Sequence, residues 1–270
     1  KWNFKKGKPR VLKYIGYPGN YGMVPRTLLP KELGGDGDPL DIILLGPPLN
    51  RGDVVSANMT MFLPGQMRTR TESSAWSAEK SNGAHVLNIH TGHALDVFLW
   101  CIGSDFASVQ SLVGVQVPTT TLTDTQRVIE VTSPDNVLLH GRLQNNALAS
   151  VHIASIPAHG SAFKMEIYGT EGTLVAQSSQ MVEMVDPVLR GARSDEEMLS
   201  IITPPPELLW VPNEVPQGIA VNMAQMFRRF AESVRGGVDA GPDFEEAAKR
   251  QHTLGFLEKA SAEKSWMKIS

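Results

Sequence analysis

The sequence predicts an α+β protein, a mostly antiparallel open sheet with helices on one face, preceded by a short β-rich segment. Three observations carry this. Phe163, Met165 and Ile167 alternate with Lys164, Glu166 and Tyr168, the period-two pattern of a half-buried strand. From Ala94 to Ile102 only Asp96 is polar, so that stretch forms a helix suited to an interior. Met223, Met226, Phe227, Phe230 and Val234 follow helical spacing after the run of strands, the order expected of α+β.

Taken along the chain, charge is segregated first. Lys1, Lys5, Lys6, Lys8, Arg10, Lys13, Arg26 and Lys31 precede the first acid, Glu32, after which Asp36, Asp38 and Asp41 fall close together. Phosphates favour Lys and Arg, and hard divalent cations favour clustered carboxylates. Such a strip can hold a metal–phosphate, or it can be a solvated basic strand and an Asp-Gly turn. Ile42 to Leu45 reads as a strand. Gly37 gives the loop before it freedom to turn, and Pro39 stiffens it.

The helix over 94–102 is expected to be capped by Thr91 or Gly92 and closed by Gly103. His93 and Asp96 share one face at its mouth. His93 is either a hydrogen-bonded core histidine or one held to meet a polar substrate. His90, His93 and Asp96 have ligand-like spacing, with nothing else pointing to metal. Val137 to Leu143 and Leu148 to Ile156 read as strands joined through Asn145-Asn146. The 163–168 strand turns through Gly169–Gly172 into a hairpin. Pro204 to Pro206 marks a stiff loop, Gly236-Gly237 ends the 223–234 helix, and Asp243 with Glu246 caps a last helix running to about Lys264. His152 and His159 read as surface residues, Trp210 and Trp266 as packing residues.

Across the 270 residues, 41% are apolar and 20% charged, ordinary values for a globular protein. A net charge of −3 argues against nucleic acid or an anionic membrane as partner, and no apolar run approaches membrane-span length. The single cysteine, Cys101, excludes an internal disulfide and is expected to be a buried thiol. A cytoplasmic location is expected, although the chain opens at Lys1.

Two resemblances sharpen this reading. YPGNYGMVPRTL followed by DGDPLDIILLG resembles the soluble family I inorganic pyrophosphatases, over about residues 1–55. The resemblance implies Asp36 and Asp41 as Mg2+ ligands, Asp38 as the carboxylate that activates the attacking water, and Lys1, Arg10 and Tyr21 as phosphate contacts. That family's second acidic set, Asp-x-x-x-x-Asp-x-Lys, does not occur in the sequence. Residues 1–57 are therefore expected to be a truncated piece of such a domain.

Residues 58–270 resemble the C-terminal domain of the glucose–fructose oxidoreductase/inositol dehydrogenase family (Gfo/Idh/MocA), through GHALDVFLWCIG, TSPDNVLLHG, MEIYGTEGTLVA and GPDFEEAAKRQHTLGFLEKA. The resemblance implies His93 in a substrate pocket beside the nicotinamide, with Asp96 beside it and sugar-like polyols as ligands. Many members carry an aspartate four residues before the histidine; Ile89 stands there instead. No Gly-x-Gly-x-x-Gly follows a strand, so NAD(P) is expected only where a Rossmann domain is supplied separately. The expected function is substrate binding and oligomerisation, with Mg-dependent diphosphatase activity as the alternative. Strand 147–156 is small or apolar on both sides, which predicts a homo-oligomer through the uncovered sheet face, one that a charge at Val151 should break.

Overall fold

The computed structural model of the chain describes residues 52–64, 70–155, 159–181, 187–236 and 242–269, with the backbone of four short strands before residue 51. The chain divides into two compact units, Lys1–Arg51 with Ala231–Asp239, and Gly52–Phe230 with Ala240–Ser270. In the first unit β1 (Phe4–Lys5) pairs with β2 (Lys8–Pro9), and β3 (Asn20–Met23) with β4 (Asp41–Leu44), both antiparallel. The strand expected over 42–45 is therefore β4, one residue earlier.

The second unit opens with β5 (Val54–Leu63) and continues through a 3-10 stretch over Glu72–Ala78 and a π turn over Leu87–Thr91 into α1 (Gly92–Ile102). Then come β6 (Phe106–Gly114), β7 (Thr119–Thr121), β8 (Val128–Glu130), β9 (Asn136–Leu143), β10 (Leu148–Ser155), β11 (Ala162–Gly169), β12 (Gly172–Ser178), β13 (Val188–Arg193) and β14 (Ser200–Ile201). The last elements are α2 (Ile219–Val234), α3 (Phe244–Glu263) and β15 (Met267–Lys268).

Nine of these strands form one sheet, ordered β14-β13-β12-β11-β5-β10-β9-β6-β15. β5 and β10 run parallel, and the other neighbours are antiparallel. The architecture is α+β, as expected. The two strands read over 137–156 and the hairpin over 163–178 lie where the alternation placed them.

The pleat sorts side chains. Ala57, Met59 and Met61 on β5, Ala149, Val151 and Ile153 on β10, and Phe163 and Met165 on β11 are buried on one face. Ala94, Leu95, Phe98 and Leu99 of α1 and Leu254 and Leu257 of α3 complete that core. Each of the larger of these side chains (Val, Leu, Ile, Met, Phe) contributes roughly 2 kcal/mol through area removed from water, the alanines less. The opposite face carries Ser56, Asn58 and Thr60 of β5 and Leu148, Ser150 and His152 of β10.

Four expectations need correction. Val151 is 1% exposed and faces the core, so a charge there would break the fold rather than an interface. α3, and not α2, covers the sheet beside α1; Met223, Met226, Phe227 and Phe230 of α2 are exposed, and Val221 is its buried residue. Thr91 does not cap α1. It is itself helical (φ −70°, ψ −36°), because the π turn runs straight into the helix. Finally, α1 is not buried all round: Trp100 is 82% exposed and Cys101 lies at the surface, although its crowded surroundings still push the thiol pKa up. Gly103 does close α1, left-handed at φ 71°, donating its N–H to Leu99 O at 2.9 Å.

β6 and β9 approach closely across a bulge between Phe106 and Ser108. A Cβ on Gly141 would run into the Ser108 carbonyl oxygen and sit 2.8 Å from Phe106 Cδ1. Gly141→Ala is predicted to cost about 2–4 kcal/mol in urea unfolding, because backbone must shift to admit one methyl group. A loss below about 0.5 kcal/mol, the scale of a neutral surface change, would refute this account.

Candidate functional site

The site begins at the π turn. Thr91 N–H bonds to Val86 O at 2.8 Å, an i to i+5 bond that widens the turn just before α1. This puts Ile89 and His93 at the surface while Leu87 and Thr91 go inward. His93 is exposed, so it is not the hydrogen-bonded core histidine of the first alternative. Among the described residues no hydrogen bond or ion pair holds its ring.

Asp96, one turn on, is half exposed and engaged through one oxygen. Its Oδ1 accepts from Arg250 Nε at 3.2 Å, and Arg250 Nη1 donates at 3.2 Å to Asp105 Oδ1. Lys249 reaches Asp105 Oδ2 at 2.5 Å. The Arg250 side chain is only 11% exposed while Asp96 and Lys249 are about half exposed, so the network ties α3 to α1 and to the loop leading into β6 with its guanidinium buried and its outer partners open to solvent. Burial draws the Asp105 carboxyl upward, but hydrogen bonds and charge from Lys249 and Arg250 outweigh that and hold it below the ordinary carboxylate range.

His85, which carries no local signal that singles it out, is buried two residues before the π turn, where its Nδ1 accepts from Asn88 N–H at 3.4 Å. Burial pushes its pKa down, Glu258 pulls it up and Lys80 pushes it down again. It is the core histidine of this region. Among the described residues no group of three His, Cys, Asp or Glu side chains is arranged to hold a metal, and that includes His90, His93 and Asp96.

On the uncovered sheet face a groove of about 500 Å3 lies between Ser108, His140, Arg142, Leu148, Ser150 and Trp266. Trp266, expected to pack, is 55% exposed and meets the His140 ring edge-on at 5.2 Å. Trp210 does pack, 5.5 Å beneath the Arg229 guanidinium. His152 is half-buried on this face, bonded through Nε2 to Asn136 Oδ1 at 2.8 Å, and burial lowers its pKa; His159 is exposed.

Of the residues assigned to phosphate chemistry, the β3–β4 pairing puts Tyr21 opposite Ile43 and Asp41 opposite Met23, so two of them lie in adjacent strands. Lys1, Arg10, Asp36 and Asp38 lie outside the described residues.

The comparisons agree with this two-part picture. Residues 50–178 match the family model for the Gal80p C-terminal domain, and residues 3–64 match that for inorganic pyrophosphatase. An uncharacterized oxidoreductase of Synechocystis sp. is 21% identical over 77% of this chain, which spans 56% of that relative. Among solved structures, the transcriptional regulator Gal80p of Kluyveromyces lactis is similar with a TM-score of 0.65 at 18% identity, over 81% of this chain and 54% of that one. A levoglucosan dehydrogenase in complex with NADH and L-sorbose is similar at 0.67 and 21% identity, over 81% and 60%. An oxidoreductase domain protein from Kribbella flavida is similar at 0.69 and 16% identity. The chain thus spans little more than half the length of the relatives it matches. No helix among the described residues is long and apolar enough to cross a membrane.

The Asp105 network has a pH signature. A folded carboxyl held below its unfolded value of about 3.9 stabilises the fold above that pH, and the gain is lost as pH falls through the depressed folded value. Asp105→Asn is therefore predicted to be less stable than the wild type at pH 7 and to show a shallower loss between pH 4 and pH 2 in urea unfolding. Parallel acid limbs in the two proteins would overturn it.

The chain is accordingly two-part: its N-terminal residues resemble inorganic pyrophosphatase, and the rest resembles the C-terminal domain of Gfo/Idh/MocA-type oxidoreductases.

Proposed function

We propose that the larger unit is the substrate-binding and oligomerisation domain of an NAD(P)-dependent oxidoreductase, acting on a sugar-like polyol, located in the cytoplasm and dependent on a separately supplied Rossmann domain for hydride transfer. The observation that carries this reading is His93, exposed on a helix whose opposite face is core and whose first turns are held by the Asp96–Arg250–Asp105 network. Such an imidazole can hydrogen-bond a substrate hydroxyl and take its proton. Ile89 offers no second carboxylate for that step, and Asp96 acts on the helix rather than on the ligand. NAD(P) would supply the hydride acceptor.

The uncovered sheet face supports the oligomer. Leu112, Leu148 and Trp266 are exposed there, and β10, beside the central strand, turns Leu148, Ser150 and His152 to that side. A twofold partner would set the same patch against itself. Light scattering at micromolar concentration should give a dimer mass, and Leu148→Asp should give a monomer with unchanged circular dichroism. A single-chain mass for the wild type would sink the oligomer.

The second reading, a Mg-dependent diphosphatase, rests on the match of residues 3–64 and on Asp36, Asp38 and Asp41. In-line phosphoryl transfer needs metal ions on both the attacking and leaving oxygens, and the second acidic set that would hold them is not in the sequence. Phosphate release from pyrophosphate with magnesium is expected to stay at background. Clear turnover that vanishes in Asp38→Ala would establish the second reading over the first.

A further inference from the structure

Arg70 follows β5 and leads into the 3-10 stretch over Glu72–Ala78. It is 6% exposed, and its Nε and Nη1 are buried with no acceptor among the described residues. The position is fixed by backbone: Thr123 donates both its N–H, at 2.9 Å, and its Oγ1, at 3.3 Å, to the Arg70 carbonyl oxygen. The acids of the same junction are already engaged. Both Asp124 carboxylate oxygens lie 3.1 Å from the Glu72 N–H, and Oδ1 also takes the Thr125 N–H at 3.0 Å. Glu72 itself holds Arg127, at 3.2 Å to Nε and 2.5 Å to Nη2. Burial lowers the Arg70 pKa, and among the described residues no neighbouring charge offsets it.

A guanidinium sunk in a fold without a counter-charge is a costly arrangement, and its planar donors match the oxygens of a carboxylate or phosphate. We propose that Arg70 anchors an anion-binding site, at the junction of the Glu72–Ala78 stretch and the β7–β8 hairpin, that takes a compact oxyanion. The site is separate from His93 and from the open sheet face, and it stands whether or not the oxidoreductase reading does. The oxyanion replaces the counter-charge that Asp124 and Glu72 spend elsewhere, and it links Arg70 to the hairpin.

Thermal unfolding of the full chain, titrated separately with sodium phosphate and sodium acetate against sodium chloride at matched ionic strength, tests this. One or both oxyanions should give a saturable rise in Tm, on the order of 5 °C at a hundredfold excess over Kd, and chloride should not. A rise with phosphate alone assigns a phosphate ligand, and a rise with acetate assigns a carboxylate. Arg70→Met should lose the rise yet, without oxyanion, unfold no more than about 2 °C below the wild type, because it removes a charge that nothing compensates. Arg70→Lys should keep a weakened rise. The proposal is overturned by a wild type with no oxyanion-specific rise, by a rise that survives in Arg70→Met, or by an Arg70→Met that fails to fold, since that failure would mean the guanidinium is already satisfied inside the protein.

Discussion

A nine-stranded sheet with one covered face can hold two helices only if the strands beneath them offer a low, even surface. In this protein that requirement falls on the adjacent β5 and β10. Ala57 and Ala149 face each other in register and keep the centre of the covered face shallow, while Met59, Met61, Val151 and Ile153 fill the space toward the helices. Phe98 can then sit fully buried, while Leu257 is buried above β6, where Ser111 Oγ donates to its carbonyl oxygen at 2.5 Å. The placement of α1, and with it the orientation of His93, follows from this packing. The ion-pair network adds direction: Arg250 touches both the start of α1 and the loop beyond its end, so it fixes how the helix is rotated about its axis. Packing brings the helix to the sheet, and the network sets which side of it faces outward.

Much of this is local physics and could be read locally. The β11–β12 hairpin was legible because apolar and polar residues alternate cleanly and Gly169 to Gly172 marks the turn. Gly103 and Asp243 announced helix ends, and Asp243 Oδ1 does accept the Glu246 N–H at 2.9 Å. The central strand β5 went unread. Its core positions are Ala and Met, residues common in helices, and its outer positions are Ser, Asn and Thr, so its period-two signal is weak in hydropathy although regular in size. Helix α2 was misplaced for the opposite reason. Its apolar stripe is strong, but a stripe shows only that a helix has a face to bury and does not say against what.

The candidate site divides in the same way. His93 and Asp96 were visible as a spacing, because three residues on a helix are neighbours wherever the helix lies. The role of Asp96 was not visible, since its partner Arg250 lies far along the chain and salt bridges leave no local pattern. The same holds for His85, which feels the charge of Glu258, far along the chain on α3. Local spacing names candidates here; distant partners decide which of them face a ligand and which hold the frame.

The parallel pairing of β5 has a consequence for how the chain is made. β5 is complete at Leu63, but both strands that flank it, β10 and β11, begin only at Leu148 and Ala162. At ordinary rates of synthesis the middle strand of the sheet spends on the order of ten seconds without either neighbour. During that interval its unpaired N–H and C=O groups are open to any passing edge. The Ser56, Asn58 and Thr60 row then serves a second purpose, because a strand with one polar side and no long aliphatic run is a poor seed for aggregation. The slow step of folding should be the arrival of β10 and β11, and the helices, although earlier or later in sequence, can seat only on a sheet whose centre has by then been closed.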